Sequence, residues 1–119
     1  MPYVNISTTK KMNEDEKQTL LGQVGRAITL IPGKAAEGTL IKLDAGATLV
    51  KKGAEGDLCM TQAYLYGESP HEAKDSFVRE MFRYYTEEMG IPQKNIYISV
   101  EGCRNWGFDG WFHDSLANE

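Results

Sequence analysis

Apolar residues recur at every second position, or in dense short runs, in several segments of the chain, and both patterns are typical of β-strands. The clearest alternation places Val4 and Ile6 on one face of a first strand at residues 3–7. Further strands are predicted at residues 39–43, 58–66 and 96–100. A short edge strand is expected near residues 48–50, inside the glycine-punctuated stretch between the second and third of these strands.

A first helix is predicted by apolar residues that are spaced three and four apart between the first two strands. Asn13 followed by Glu16 forms a capping-box pattern, and Pro32-Gly33 is expected to end the helix. Gly22 and Gly25 are unfavourable inside a helix, and we attribute them to close packing of this helix on a sheet.

A second helix is predicted after the third long strand. Ser69 is expected to be its N-cap, Pro70 its first residue and Glu72 the residue that closes the capping box. Gly90 and Pro92 then end it. The apolar face of this helix consists of Phe77, Val78, Met81, Phe82, Tyr85 and Met89.

The order of elements is strand–helix–strand, repeated once. Ile31-Pro32-Gly33-Lys34 returns 60 positions later as Ile91-Pro92-Gln93-Lys94, which indicates two pseudo-repeats of one domain over residues 1–119, at about 2–56 and 57–112. The predicted fold is α+β, with a four-stranded mixed sheet and both helices on one face. The other face either packs against further subunits in a trimer or stays exposed in a monomer, and the polar Thr61, Gln62 and Ser99 keep the second possibility open.

Charge and composition exclude several classes of partner. The 13 basic and 17 acidic residues give a net charge of −4, and the basic residues form no stripe, so we expect no nucleic-acid partner. No apolar run approaches the roughly 20 residues of a membrane span, and the first residues do not resemble a secretory signal. We therefore expect no membrane partner and a cytoplasmic location, with non-classical secretion left open.

Cysteine and histidine are too sparse to predict a redox or metal centre. Cys59 and Cys103 belong to no CxxC pair, and we expect two buried free thiols. His71 and His113 are isolated from each other and from other metal-ligating side chains. No metal and no cofactor are expected.

The order and spacing of several landmarks resemble the tautomerase superfamily, in its macrophage migration inhibitory factor (MIF) branch. These landmarks are Pro2 directly after Met1, the doubled β-α-β plan, Gly33-Lys34 after the first helix, Ile96-Tyr97-Ile98-Ser99, and the segment from Asn105 to Gly110. The resemblance covers nearly the whole chain. It implies a homotrimer and a keto–enol tautomerase that needs no cofactor and acts on small aromatic 2-keto acids such as phenylpyruvate.

The same resemblance implies a role for particular residues. Pro2 is the catalytic residue: removal of Met1 exposes a secondary amine, and burial and a nearby cation lower its pKa toward that of a useful general base. Lys34 binds the substrate carboxylate, and Tyr97 enters the site from a neighbouring subunit. The other substrate-binding candidates are Tyr66, Ser99, Trp106 and Phe108.

Two departures from the MIF pattern affect substrate contacts. Ser99 stands where animal members carry an asparagine, and it has a shorter reach. Tyr66 stands where they carry an isoleucine, and it adds a ring and a phenol at the pocket mouth. The alternatives to an active tautomerase are a weak or inactive MIF-like trimer with a binding or signalling role and a monomeric interaction module.

Overall fold

A computed structural model describes residues 1–117 as a two-layer α+β structure. The α2 helix continues through a π-helical segment at Tyr84–Glu88, and a single 3-10 turn, Gln93–Asn95, precedes the fourth strand. In chain order the elements are β1 Pro2–Thr8, α1 Glu14–Ile28, β2 Leu40–Asp44, β3 Cys59–Tyr66, α2 His71–Arg83, β4 Ile96–Cys103, β5 Asn105–Phe108 and β6 Trp111–Asp114.

Four strands form one mixed sheet in the order β2-β1-β3-β4. The strand β1 is parallel to β2 and antiparallel to β3, and β3 is parallel to β4. The strands β5 and β6 form a separate antiparallel hairpin. The predicted α+β fold with a four-stranded mixed sheet is therefore confirmed.

Both helices cover one face of this sheet. Val4 and Ile6 of β1 are completely buried, and they belong to one hydrophobic core with Leu20 and Val24 of α1 and Phe77 of α2. Every second residue of β3 is buried in this core as well. The core therefore lies between the helix layer and the sheet, as the alternating pattern predicts.

The opposite sheet face has no helix over it. Its β1 and β3 residues are half-buried, and they include Tyr3 stacked on Tyr64 and Asn5, whose Nδ2 donates to Gln62 Oε1 at 3.3 Å. Thr61, which was expected to make this face polar, lies on the helix side instead. Its hydroxyl is completely buried and lies 2.6 Å from the Tyr85 hydroxyl.

The element boundaries confirm some local predictions and correct others. The Asn13–Glu16 capping box is present with both hydrogen bonds. The α2 helix, however, starts at His71 with Pro70 as its N-cap and no side-chain cap, so the predicted Ser69 box is wrong. Residues 48–50 form no strand.

Three further features differ from the sequence predictions. The β4 strand runs on to Cys103, past the predicted end at Val100. A Cβ on Gly25 would lie 3.0 Å from the Ala36 Cβ, so this glycine accommodates the loop after α1 rather than the sheet. Both thiols are free, as predicted. Cys59 is buried, whereas Cys103 is half-exposed, so the prediction of burial is wrong for Cys103.

Candidate active site at the start of the first strand

The first strand brings Pro2 to one end of the sheet. Pro2 is buried at the start of β1 and stands opposite Leu65 in the antiparallel register with β3. The next residue of β3 is Tyr66, at the end of that strand. Strand pairing thus places Pro2 beside the carboxyl end of β3.

The loop after α1 carries Lys34 to the same end. Its Nζ donates a hydrogen bond to the Tyr66 carbonyl oxygen at 3.1 Å, and its own backbone N–H donates to Ile31 O at 3.1 Å. Partial burial lowers the pKa of the Lys34 ammonium. In residues 1–117, no carboxylate forms an ion pair with this ammonium. The lysine is fixed in place, and its positive charge is not neutralised.

The positive charge of Lys34 acts electrostatically on the amino terminus. Burial, and after it the charge of Lys34, lowers the pKa of the Met1 amine below 8.0. While Met1 is present, the Pro2 nitrogen is a tertiary amide that cannot accept a proton. Removal of Met1 moves the free amine one residue inward, to the buried Pro2, where desolvation disfavours the charged ammonium further.

The β5–β6 hairpin provides an aromatic wall beside Tyr66. The His113 ring contacts the Tyr66 ring edge-on at 6.1 Å and the Phe108 ring at 6.5 Å. Trp106 stands opposite His113 in the hairpin register. Lys34 therefore contacts Tyr66 directly, and His113 connects Tyr66 to Phe108, with Trp106 in the same hairpin. His113 was missed by the sequence analysis, because a single histidine in a tail carries no spacing signal.

Tyr97 and Ser99 lie at a different part of the sheet. Leu65, the register partner of Pro2, is also paired with Gly102 of β4, whereas Tyr97 is paired with Met60. The five residue steps from Tyr97 to Gly102 span about 16 Å of strand. Tyr97 is 53% exposed. Within one subunit it does not meet Pro2.

Two other kinds of site have no support in residues 1–117. That part of the chain holds no group of three or more His, Cys, Asp or Glu side chains arranged for a metal ion. None of its helices is long and apolar enough to cross a membrane.

Solved structures with the same architecture are numerous, although their sequences are distant. Leishmania major MIF2 superposes with a TM-score of 0.84 at 16% identity, covering 95% of this chain and 97% of that protein. The MIF-like protein of Entamoeba histolytica gives a TM-score of 0.80 at 14% identity over 94% and 98% of the two chains. The chain has the MIF fold.

A third neighbour with the same fold was solved in an inactivated state. Pt0534, inactivated by 2-oxo-3-pentynoate, superposes with a TM-score of 0.77 at 20% identity and covers 91% of this chain and 93% of its own. No family model matches the sequence, and no curated protein matches it either. The predicted resemblance to MIF-like tautomerases is thus confirmed for the fold. These proteins share the fold although their sequence identities to this chain lie below 25%.

Proposed function

We propose that this protein is a keto–enol tautomerase that acts on small aromatic 2-keto acids such as phenylpyruvate, with the Pro2 amine as general base after removal of Met1. The observation that carries the proposal is the convergence of the amino terminus, the un-neutralised Lys34 ammonium and the Tyr66 carbonyl at one end of the sheet. A lowered pKa increases the neutral fraction of the amine at a given pH, and only the neutral amine can accept a proton.

The proposed reaction needs only these groups. The Pro2 nitrogen takes a proton from the carbon beside the keto group, and the electron pair of that C–H bond moves to form the enolate. Lys34 binds the substrate carboxylate and stabilises the developing negative charge. The Pro2 ammonium then returns its proton to the enolate oxygen, which gives the enol and restores the base. The rings of Phe108 and Trp106 offer an apolar wall for the substrate's aromatic group.

We further propose that the protein works as a homotrimer in which Tyr97 and Ser99 of one subunit complete the site of the next. The uncovered sheet face supports this assembly. Asn5 Oδ1 on that face is buried and has no hydrogen-bond partner in the described residues. A buried polar atom without a partner is energetically unfavourable, and a neighbouring subunit could supply a donor. Light scattering at micromolar concentration should give three times the chain mass of 13.3 kDa, and a monomeric mass would refute the assembly.

The test of the base is a chain extended by one alanine between Met1 and Pro2. Intact mass must first show that the unmodified protein has lost Met1. The extension turns the Pro2 nitrogen into an amide, so phenylpyruvate tautomerisation should fall by about 10²–10⁴-fold, the usual contribution of a general base. Full activity in the extended protein would remove Pro2 from the mechanism.

The reagent that inactivates Pt0534 gives an independent measurement. 2-Oxo-3-pentynoate is a 2-keto acid with an electrophilic alkyne, and addition of a secondary amine across the triple bond loses no atoms. We expect one equivalent to add to Pro2, with a mass gain equal to the whole reagent. Peptide mapping that finds the adduct elsewhere, or no adduct in protein that has lost Met1, would contradict a nucleophilic amine at this position.

A further inference from the structure

A cavity of about 290 Å³ lies near the amino-terminal ends of β3 and β4, away from Pro2. Its wall is largely apolar, and it also contains Lys51, Asn95 and the exposed ring of Tyr97. None of the residues gathered around the amino terminus lines it. The cavity therefore belongs to the part of the subunit that Tyr97 would present to a neighbour.

Lys51 is held at the rim of this cavity by two contacts. Its Nζ donates to the Lys94 carbonyl oxygen at 2.6 Å and lies 5.0 Å from the centre of the Tyr97 ring, in a cation–π contact. An ammonium group has three donors, so the single bond to Lys94 leaves donors for an anion. A molecule that contacts this side of the Tyr97 ring also meets a fixed positive charge.

Lys34 and Lys51 share an arrangement that the other lysines of residues 1–117 lack. Each donates a hydrogen bond from its ammonium to a backbone carbonyl, and neither forms an ion pair with a carboxylate of the described residues. Lys17 and Lys42, by contrast, lie beside carboxylates that neutralise them. An ammonium that is positioned but not neutralised is suited to bind an anionic group of a ligand.

We propose that Lys51 is a specificity residue that binds a second anionic group of the substrate, so that the preferred substrates are dianionic 2-keto acids. This inference rests on the proposed function, in which Tyr97 of one subunit enters the site that holds Pro2 of the next. Because the Lys51 ammonium lies on the Tyr97 ring, it enters the same site. Lys34 then binds the carboxylate next to the keto group, and the neighbouring subunit's Lys51 binds an anion at the far end of the molecule.

The apolar part of the cavity wall fits the body of such a substrate. Leu58 and Met60 line the cavity beside Tyr97. A ring or hydrocarbon spacer between two anionic groups would pack on these side chains while its ends reach the two lysines. The two lysines select for an anionic group at each end of the substrate, and the apolar wall adds affinity for the spacer between these groups.

The experiment compares two substrates that differ in one charge. (4-Carboxyphenyl)pyruvate is a dianion, and (4-carbamoylphenyl)pyruvate has nearly the same shape with a neutral amide. The wild-type kcat/KM should favour the carboxylate by about five- to tenfold, as expected for a partly exposed charged hydrogen bond. This ratio should fall as ionic strength rises, because salt screens the attraction.

Variants at neighbouring lysines identify the charge responsible. Lys51→Met should bring the ratio close to one, whereas Lys51→Arg should retain a preference for the carboxylate. Lys52→Met removes an equal charge from the adjacent exposed residue and should leave the ratio unchanged. Light scattering checks that each variant assembles as the wild type does, and the salt dependence of the wild-type ratio gives a measurement that needs no variant.

The outcomes separate the two proposals. Suppose that phenylpyruvate is turned over but the wild type shows no preference for the carboxylate, or that Lys51→Met retains this preference. Lys51 then does not bind a second anion, and the proposed tautomerase function is unaffected. If the protein with Met1 removed turns over none of the three substrates, the proposed function fails and this inference fails with it.

Discussion

Replacement of Lys34 by methionine tests two effects of one ammonium. Methionine keeps an unbranched apolar stem and removes the charge. In the proposed mechanism this charge has two roles: it binds the substrate carboxylate, and it lowers the pKa of the amino-terminal amine. The variant should therefore change both the rate and its pH dependence.

The size of the rate effect follows from the contact that is lost. A hydrogen bond to a charged group contributes about 1.5–3 kcal/mol, which corresponds to a decrease of roughly 10- to 150-fold in kcat/KM for phenylpyruvate. The pH effect has a definite sign. The Lys34 charge disfavours a second positive charge on the amine, so its removal should raise the amine pKa and move the ascending limb of kcat/KM to higher pH.

The assay is kcat/KM for phenylpyruvate across the pH range, in protein whose mass shows that Met1 is absent. Lys34→Arg retains the charge and should keep the ascending limb near its wild-type position. Lys11→Met is the matched control, because Lys11 is exposed beyond the far end of β1 and should leave the profile unchanged. An unchanged kcat/KM in Lys34→Met would show that Lys34 does not bind substrate, and an ascending limb that does not move would show that its charge does not act on the base.

Three further outcomes are expected. Iodoacetamide should modify the half-exposed Cys103 readily and Cys59 only when the protein opens, since burial raises the Cys59 pKa from 9.0 to about 11. Because the Cys59 pKa is higher in the folded protein, the free energy of unfolding should keep its full value below pH 9 and fall as pH rises from 9 toward 11. Denaturant unfolding at a series of pH values measures this decrease. Tyr85→Phe should cost about 1–3 kcal/mol in urea unfolding, because it leaves the buried Thr61 hydroxyl with only the weak Cys59 sulfur partner at 3.7 Å, and adding Thr61→Val should recover part of that loss.

Much of the fold follows from local patterns that need no knowledge of the partner elements. The capping box at Asn13 and Glu16 forms because both hydrogen bonds are made within four residues. The alternation in β1 and β3 is present because one face of each strand is buried against helices. Prediction failed where a pattern is compatible with two structures. Pro70 suits an N-cap as well as a first turn, and the apolar Leu49 and Val50 line a cavity instead of joining the sheet.

The candidate site residues came from the resemblance to MIF-like tautomerases, because their positions in the chain do not by themselves indicate a site. Taken alone, Pro2 suits the start of an edge strand, and Lys34 suits a surface charge in the loop after α1, which ends at Ile28, four residues before the Pro32-Gly33 that was expected to end it. His113 and Lys51 were not among these candidates. Their surroundings arise from contacts with Tyr66 and Tyr97, residues far away in sequence that only strand register and the hairpin bring near.

The division of the candidate residues between two places on the sheet leads to a complementation test. A site that needs Pro2 and Tyr97 must draw them from different subunits, because the register of β3 keeps them apart within one chain. Subunits extended before Pro2 lack the base, and Tyr97→Ala subunits lack the tyrosine, so each variant alone should be weak. After unfolding and refolding as a 1:1 mixture, a cyclic trimer joins an intact Pro2 to an intact Tyr97 at about a quarter of its sites. Activity near a quarter of the wild type should therefore return. If the mixture shows only the mean of the two separate activities while native mass spectrometry confirms mixed trimers, Tyr97 does not work in a neighbour's site.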